Sequence, residues 1–446
     1  MRVEKGFTED LINRALKKGA DEAEVYAKSS KNLSIEVKNK NIDALESSLS
    51  FGYSLRIILS KKLGFSYSTK KEDSESVIDN AVEAARWADR DNYLELPEAS
   101  HSHTVDISDP KISSIREEEA REKVFLLEKA AYEVDRRIKN TRRARGTFSE
   151  ADVVIINTKG INSQYSSTTC IAQIMAVAGD GTDSQMGWFF SGSRFLDEVS
   201  FEEVGRNAAK RAIQFLGSKR IKAQKTPVIL DTVVATEFIG ILASSLSSEN
   251  IQKGKSLLLG RLGKKVISPK INIIDNGLLL GKLGSAPVDD EGVSTREKVL
   301  IREGILLGYL YNTYTAKKDG VSSTGNAVRG GLSSLPSVGT TNLYVEAVSK
   351  ANIVNHRDIF KVVDKCLYVT EAMGVHTANP ISGEFSIGVT GLWIEKGEIA
   401  FPVKEAVISG NILSFFETIE AVGDDLTFFG NIGSPSLIFG PTDVSA

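Results

Sequence analysis

The chain has 446 residues, a net charge of -3 and a pI near 6.0; it is too long for one ordinary core and lacks the basic surplus of a nucleic-acid-binding protein. It is 41% apolar and 25% charged, an ordinary balance for a folded soluble protein, and it holds no apolar run of about 18 residues to span a membrane as a helix. Two cysteines and four histidines (His101, His103, His356, His376) argue against a disulfide framework and against a histidine-rich metal centre, and favour a cytoplasmic setting.

The first element reads as a helix capped by Thr8, with Leu11, Ile12, Ala15 and Leu16 as its stripe and Gly19 as its stop. Residues 23–27, 33–37, 53–58 and 63–67 read as strands of a sheet with one wet face, turning at 38–41 and 60–62. Residues 74–88 form an amphipathic helix with Val77, Ile78, Ala81, Ala84 and Ala85 inward. A Pro- and Ser-containing connection at 92–114 leads to a long charged helix expected over 115–139. Strands at 153–157 and 170–177, a small-residue loop at 178–187 and a helix over 201–216 complete this half.

The basic, polar stretch after Leu216 marks a boundary. The expected organisation is therefore an N-terminal domain over 1–217, a linker over 218–226 and a C-terminal domain over 227–446. In the second half, helices are expected at 232–247 and 359–373, among short strands at 271–274, 299–301, 306–311, 390–394 and 436–439. Frequent glycines between apolar runs suggest a curved or barrel-like antiparallel sheet with few helices. The fold class is α+β, with helices on a mostly antiparallel sheet in the first half.

Several short patterns invite chemistry. Gly254-Lys255-Ser256 ends like a phosphate-binding loop, but the position that needs the first glycine is Glu249. His101 and His103 read as loop residues, with no patterned Cys, Asp or Glu beside them. The basic cluster from Arg136 to Arg145 is read as complementing a helix dipole. Asp289-Asp290-Glu291 is an acidic turn that would line a substrate channel, bind a hard cation or simply be solvated, the last being commonest for such turns. Cys366 and Cys170 both read as core residues.

Taken together, the motifs resemble the TldD/PmbA (TldD/TldE) family. The residues that carry this are Gly19-Ala-Asp-Glu-Ala-Glu-Val25, Gly52-Tyr-Ser-Leu-Arg56, Lys253-Gly-Lys-Ser256, Asp289-Asp-Glu-Gly292, Ser323-Thr-Gly-Asn-Ala327, Ser382-Gly-Glu-Phe-Ser386, Val422-Gly-Asp-Asp425 and Ser434-Pro-Ser436. They occur in order along nearly the whole chain. The TldD branch resembles a zinc peptidase, with His-Glu-x-x-x-His on a helix and a distant Cys as third ligand. Here that motif aligns as Thr236-Glu237-Phe-Ile-Gly-Ile241, and residues 426–436 hold no Cys.

Both histidine positions are thus replaced, by Thr236 and Ile241, and only Glu237 remains. Threonine is a poor zinc ligand and isoleucine is none. The resemblance therefore implies the PmbA/TldE branch: a subunit without metal or catalytic residues of its own, with Glu237 as a vestige. It implies a TldD-like catalytic partner that carries the zinc, unfolded or peptide substrates, and a homodimer when the chain is alone. The family's label, modulator of DNA gyrase, finds no support in the charge balance as direct nucleic-acid binding. Two other readings stay open. One is a stand-alone hydrolase using Asp289, Asp290, Glu291 and His376. The other is a peptide- or nucleic-acid-binding adaptor centred on Arg136 to Arg145.

Overall fold

The computed structural model describes residues 3–99 and 103–445; His101 lies outside them. The first half is a six-stranded antiparallel sheet of β1 (Glu22–Lys38), β2 (Asn41–Leu59), β3 (Lys62–Ser68), β4 (Ile138–Asn157), β5 (Asn162–Gly179) and β6 (Ser184–Ser193). The strand order is β3-β2-β1-β4-β5-β6. The hairpins at Asn39-Lys40 and Ser60-Lys61 place both turn residues at positive φ, between 51° and 62°. Such two-residue turns carry the right-handed twist of long strands.

Four helices cover one face: α1 (Lys5–Lys17), α2 (Ser74–Trp87), α3 (Glu117–Val134) and α4 (Phe201–Gln214). The first two pack on Val25, Leu55 and Ile57, the last two on Ile35, Val37, Ile174 and Ala176. The other face carries Tyr26, Val153 and Ile155, which meet Val288 of the second half. The domain junction is therefore a continuation of the sheet's own packing.

In the second half, β7 (Gln224–Leu230) leads into α5 (Thr232–Ser245). The strands β8 (Lys365–Met373), β9 (Glu384–Glu395), β10 (Glu398–Asn411) and β11 (Leu437–Ser445) follow. They run β11-β10-β9-β8-β7, and β11 also pairs with β7, so the sheet closes into a barrel. The β7–β8 pair is parallel and the rest of the ring antiparallel. A second six-stranded sheet joins Ile271–Asn276, Glu297–Arg302, Ile305–Leu306, Leu343–Ala347, Ile432–Ser434 and Thr427–Phe429. α5 is apolar on most of its surface because Val234, Phe238, Ile239 and Leu242 enter the core that also holds Ile387, Val389 and Phe439.

The structure corrects several sequence expectations. The first helix begins at Lys5, so Thr8 is no cap; its hydroxyl donates to the Lys5 carbonyl at 2.8 Å from inside the helix. On α2, Val82 is buried and Ala84 exposed. The charged helix stops at Val134, and β4 starts at Ile138. The basic cluster therefore lies mainly on a strand, where Arg145 pairs with Glu36 at 2.6 Å, while Arg137 pairs with Asp135 at 2.9 Å. The 178–187 loop contracts to a turn held by Asp180 before β6. The expected helix over 359–373 is a short 3-10 turn, His356–Val362, followed by β8. β7 begins at Gln224, within the stretch read as linker.

Candidate functional site

α5 starts at a strong cap. The Asp231 carboxylate accepts from the Val234 N–H at 2.9 Å and pairs with Arg211 of α4. Arg211 also donates to the Thr370 carbonyl at 2.7 Å, so one guanidinium ties α4, the start of α5 and β8 together. Just past the cap, the helix displays Glu237, Gly240, Ile241 and Ser244, spaced so that they share one face. Across from them lie Ala372 at the end of β8 and Gly374, Val375, His376, Ala378 and Pro380 of the segment after it, and the two sides enclose a groove of about 590 Å³.

Thr236 and Ile241 flank Glu237 but offer a metal nothing. Thr236 is buried, and its hydroxyl donates to the Val233 carbonyl at 2.7 Å. Ile241 is an aliphatic wall residue, 9% exposed. Among the described residues, no three His, Cys, Asp or Glu side chains converge into a metal-binding set. The donor set on this helix does not fit zinc.

The Glu237 side chain is exposed, yet it titrates unusually. Desolvation by the groove walls and the nearby Asp231 carboxylate push it up to about 7; Arg211 opposes them and Glu371 adds a smaller push. Glu371 on β8 is also pushed up to about 7 by burial, against the pull of Arg211. Two carboxyl groups that can hold protons near neutrality thus sit around one half-buried guanidinium, that of Arg211. The arrangement can hold or release a proton.

The segment after Val422-Gly-Asp-Asp425 forms a hairpin, Thr427–Phe429 with Ile432–Ser434, that packs on α5. Asp425 closes its base by accepting from the Ser436 N–H at 2.8 Å and hydroxyl at 2.6 Å. Phe429 stacks edge-on against Phe189 of β6. The structure therefore brings the segment aligned with the third-ligand region up to the helix, without a thiol in it.

The acidic turn lies elsewhere, at the domain junction. Asp289 and Glu291 are buried rather than solvated. Asp289 accepts from the N–H groups of Glu291, Val293 and Ala327 at 2.9–3.0 Å. Burial and the charge of Glu291 raise its pKa. Burial also works to raise Glu291, but Arg56 at 2.8 Å and the Thr313 N–H at 2.9 Å hold it below the usual range. Arg56 in turn meets Glu24 at 2.6 Å, and Glu24 meets Arg329 at 2.6 Å. Asp290 accepts from the Arg329 N–H at 2.8 Å. This is an interdomain ion network.

His376 lies in the groove of Glu237, His356 bonds Asp424 at 2.8 Å on the surface, and both cysteines are buried. Gly254-Lys255-Ser256 follows the short helix Ser248–Gln252, and its Ser256 hydroxyl is spent on the Ser245 carbonyl. Sequence reasoning missed Arg211 and Glu371. Arg211 reads as an ordinary last-turn cation, and Glu371 lay inside the stretch mistaken for helix.

Family models of PmbA/TldA metallopeptidase domain 1, central domain and C-terminal domain match residues 23–87, 110–216 and 223–446. The Metalloprotease PmbA homolog of Buchnera aphidicola subsp. Acyrthosiphon pisum is 30% identical over 95% of this chain and 92% of its own length. Metalloprotease PmbA of Escherichia coli O157:H7 is 26% identical over 98% and 96%. A Thermotoga maritima protein described as a candidate modulator of a DNA gyrase superposes with a TM-score of 0.89 at 27% identity, covering 99% of this chain and 100% of that one. TldE from Thermococcus kodakarensis has the same fold, with a TM-score of 0.90 at 22% identity over 99% and 100%. Matched by the C-terminal model over half its length and by the Buchnera relative almost end to end, this chain belongs to the PmbA/TldD metallopeptidase family.

Proposed function

We propose that this chain is a non-catalytic subunit of a TldD/TldE-type metallopeptidase, completing a complex whose zinc is held by a TldD-like partner. The observation that carries this reading is the helix α5. It keeps a groove and the carboxylate Glu237, while Thr236 spends its hydroxyl on the helix backbone and Ile241 offers no donor. In that complex the chain would help enclose an unfolded or peptide substrate in a cytoplasmic setting, and alone it would form a homodimer. The relatives' names as metalloproteases agree with the complex's activity.

Reconstitution tests the reading. The purified chain is mixed with a family member from the same cell that carries His-Glu-x-x-x-His, and cleavage of an unfolded protein is followed with and without chelator. Chelator-sensitive cleavage is expected from the mixture and none from this chain alone. Glu237→Gln should leave the mixture's activity within a few-fold. Chelator-sensitive hydrolysis by the isolated chain would overturn the proposal.

A further inference from the structure

Strand β2 is longer than its outer neighbour. It pairs with β1 along its whole length, but β3 covers only Tyr53–Leu59 on its other side. Residues 42–51 therefore form a bare sheet edge, to which no other described strand or loop hydrogen-bonds through its backbone. The turn tells which groups point outward. Ser60 and Lys61 make a two-residue hairpin, so Leu59 and Lys62 exchange hydrogen bonds, and Ile57, Leu55 and Tyr53 likewise turn theirs to β3. The β1–β2 register runs unbroken from Glu22–Ile58 to Glu36–Ala44. The alternation carries on with it, so Leu49, Ser47 and Leu45 present their N–H and C=O groups to the bare edge. Sheet edges are usually guarded by Lys, Pro or a bulge. Residues 42–50 hold no Lys, Arg or Pro, the register shift comes only at Glu36/Val37, and Leu49 is 74% exposed.

We propose that this edge is a self-association surface, where the same strand of a second copy pairs antiparallel about a twofold axis at Ser47. The inference rests on the homodimer of the preceding reading and names its surface. A second copy is the occupant because the edge complements itself. With the axis at Ser47, residues whose bonding groups point outward fall opposite one another: Ser47 meets Ser47, and Leu45 meets Leu49 of the second copy. Leu45 already packs on the core beneath α3 and α4, so Leu49 of the second copy extends that core and loses its exposure. An axis at Leu45 would leave Leu49 opposite Asn41, and an axis at Leu49 would require Tyr53, which is already paired with Ser68. Glu46 falls opposite Ser48 and Asp43 opposite Phe51, so no two carboxylates are directly opposed. The two Glu46 groups lie on a diagonal, exposed and screened by salt.

The test is sedimentation of the full-length chain over a dilution series, beside Leu49→Lys and Ser47→Pro. Proline at 47 deletes only an outward N–H and spares the ladder to β1. Each variant should weaken the dimer at least tenfold. A cross-link gives a readout that does not depend on weakening. In a hydrogen-bonded antiparallel pair the Cα atoms lie about 5.5 Å apart, within reach of a disulfide. The native cysteines are both buried, so under diamide Ser47→Cys should give a covalent dimer and Asp43→Cys should not. A dimer whose dissociation is unchanged in both variants, or equal cross-linking at 43 and 47, would overturn this surface and leave the homodimer standing. A parent chain that stays monomeric at every concentration would overturn both, and the subunit role would still be decided by reconstitution with the catalytic partner.

Discussion

Glu237 is the residue on which the reading turns, and its titration gives it a signature. Its carboxyl is pushed up to about 7 in the folded chain, against about 4.3 for a glutamate in an unfolded one. Between these values the folded state holds the proton that the unfolded state has released, so this group makes stability fall as pH rises. Glu237→Gln removes that penalty. The variant should match the parent below pH 4.5 and melt higher than it at pH 8; equal melting temperatures at pH 8 would show that the groove does not disfavour the charge. The presence of Glu237 and the replacements at Thr236 and Ile241 were legible in the sequence, because they need only an aligned motif. Its neighbours were not. Arg211 and Glu371 are far from it in sequence, and only the meeting of α4, β8 and the start of α5 brings their charges together.

Elements with a clean period were legible: α2, α4, α5 and the two positive-φ hairpins all appear where apolar spacing and turn residues put them. The errors fell where two periods compete. Residues 359–373 hold Ile359, Val362, Val363, Cys366 and Leu367 at helical spacing, yet β8 joins the barrel because parallel pairing with β7 buries both of its faces. Past Val134, the charged run continues smoothly in composition while the backbone switches to β4. Close helix packing was also invisible in the sequence. A Cβ at Gly205 of α4 would lie 2.2 Å from the Leu127 carbonyl oxygen of α3, whereas one at Gly240 of α5 would meet nothing within 4 Å. Helix propensity favours Ala over Gly by about 1 kcal/mol at either site, but overpacking costs roughly 1–3 kcal/mol. Gly205→Ala should therefore lower the urea midpoint and Gly240→Ala should raise it. The same sign at both sites would contradict this packing.

At the scale of the whole molecule, the two halves are joined by charge as well as by apolar contact. The Glu24–Arg56–Glu291 chain crosses the junction behind Tyr26 and Val288, and Arg211 fastens α4 to the helix of the second half. The acidic turn at 289–291 is part of this join, a role its local sequence could not reveal because its cationic partner, Arg56, is 235 residues from Glu291. Among the described residues, no helix is long and apolar enough to cross a membrane. The groove of Glu237 is mounted on the barrel and braced by the other domain through Arg211, and among the described residues no three His, Cys, Asp or Glu side chains converge on it.

The most direct test is the zinc content of the purified, untagged chain at neutral pH after equilibration with added metal and dialysis. The reading of α5 predicts zinc far below one ion per chain, unchanged by Glu237→Gln. About one tightly held zinc per chain would contradict it and place a metal centre in this chain.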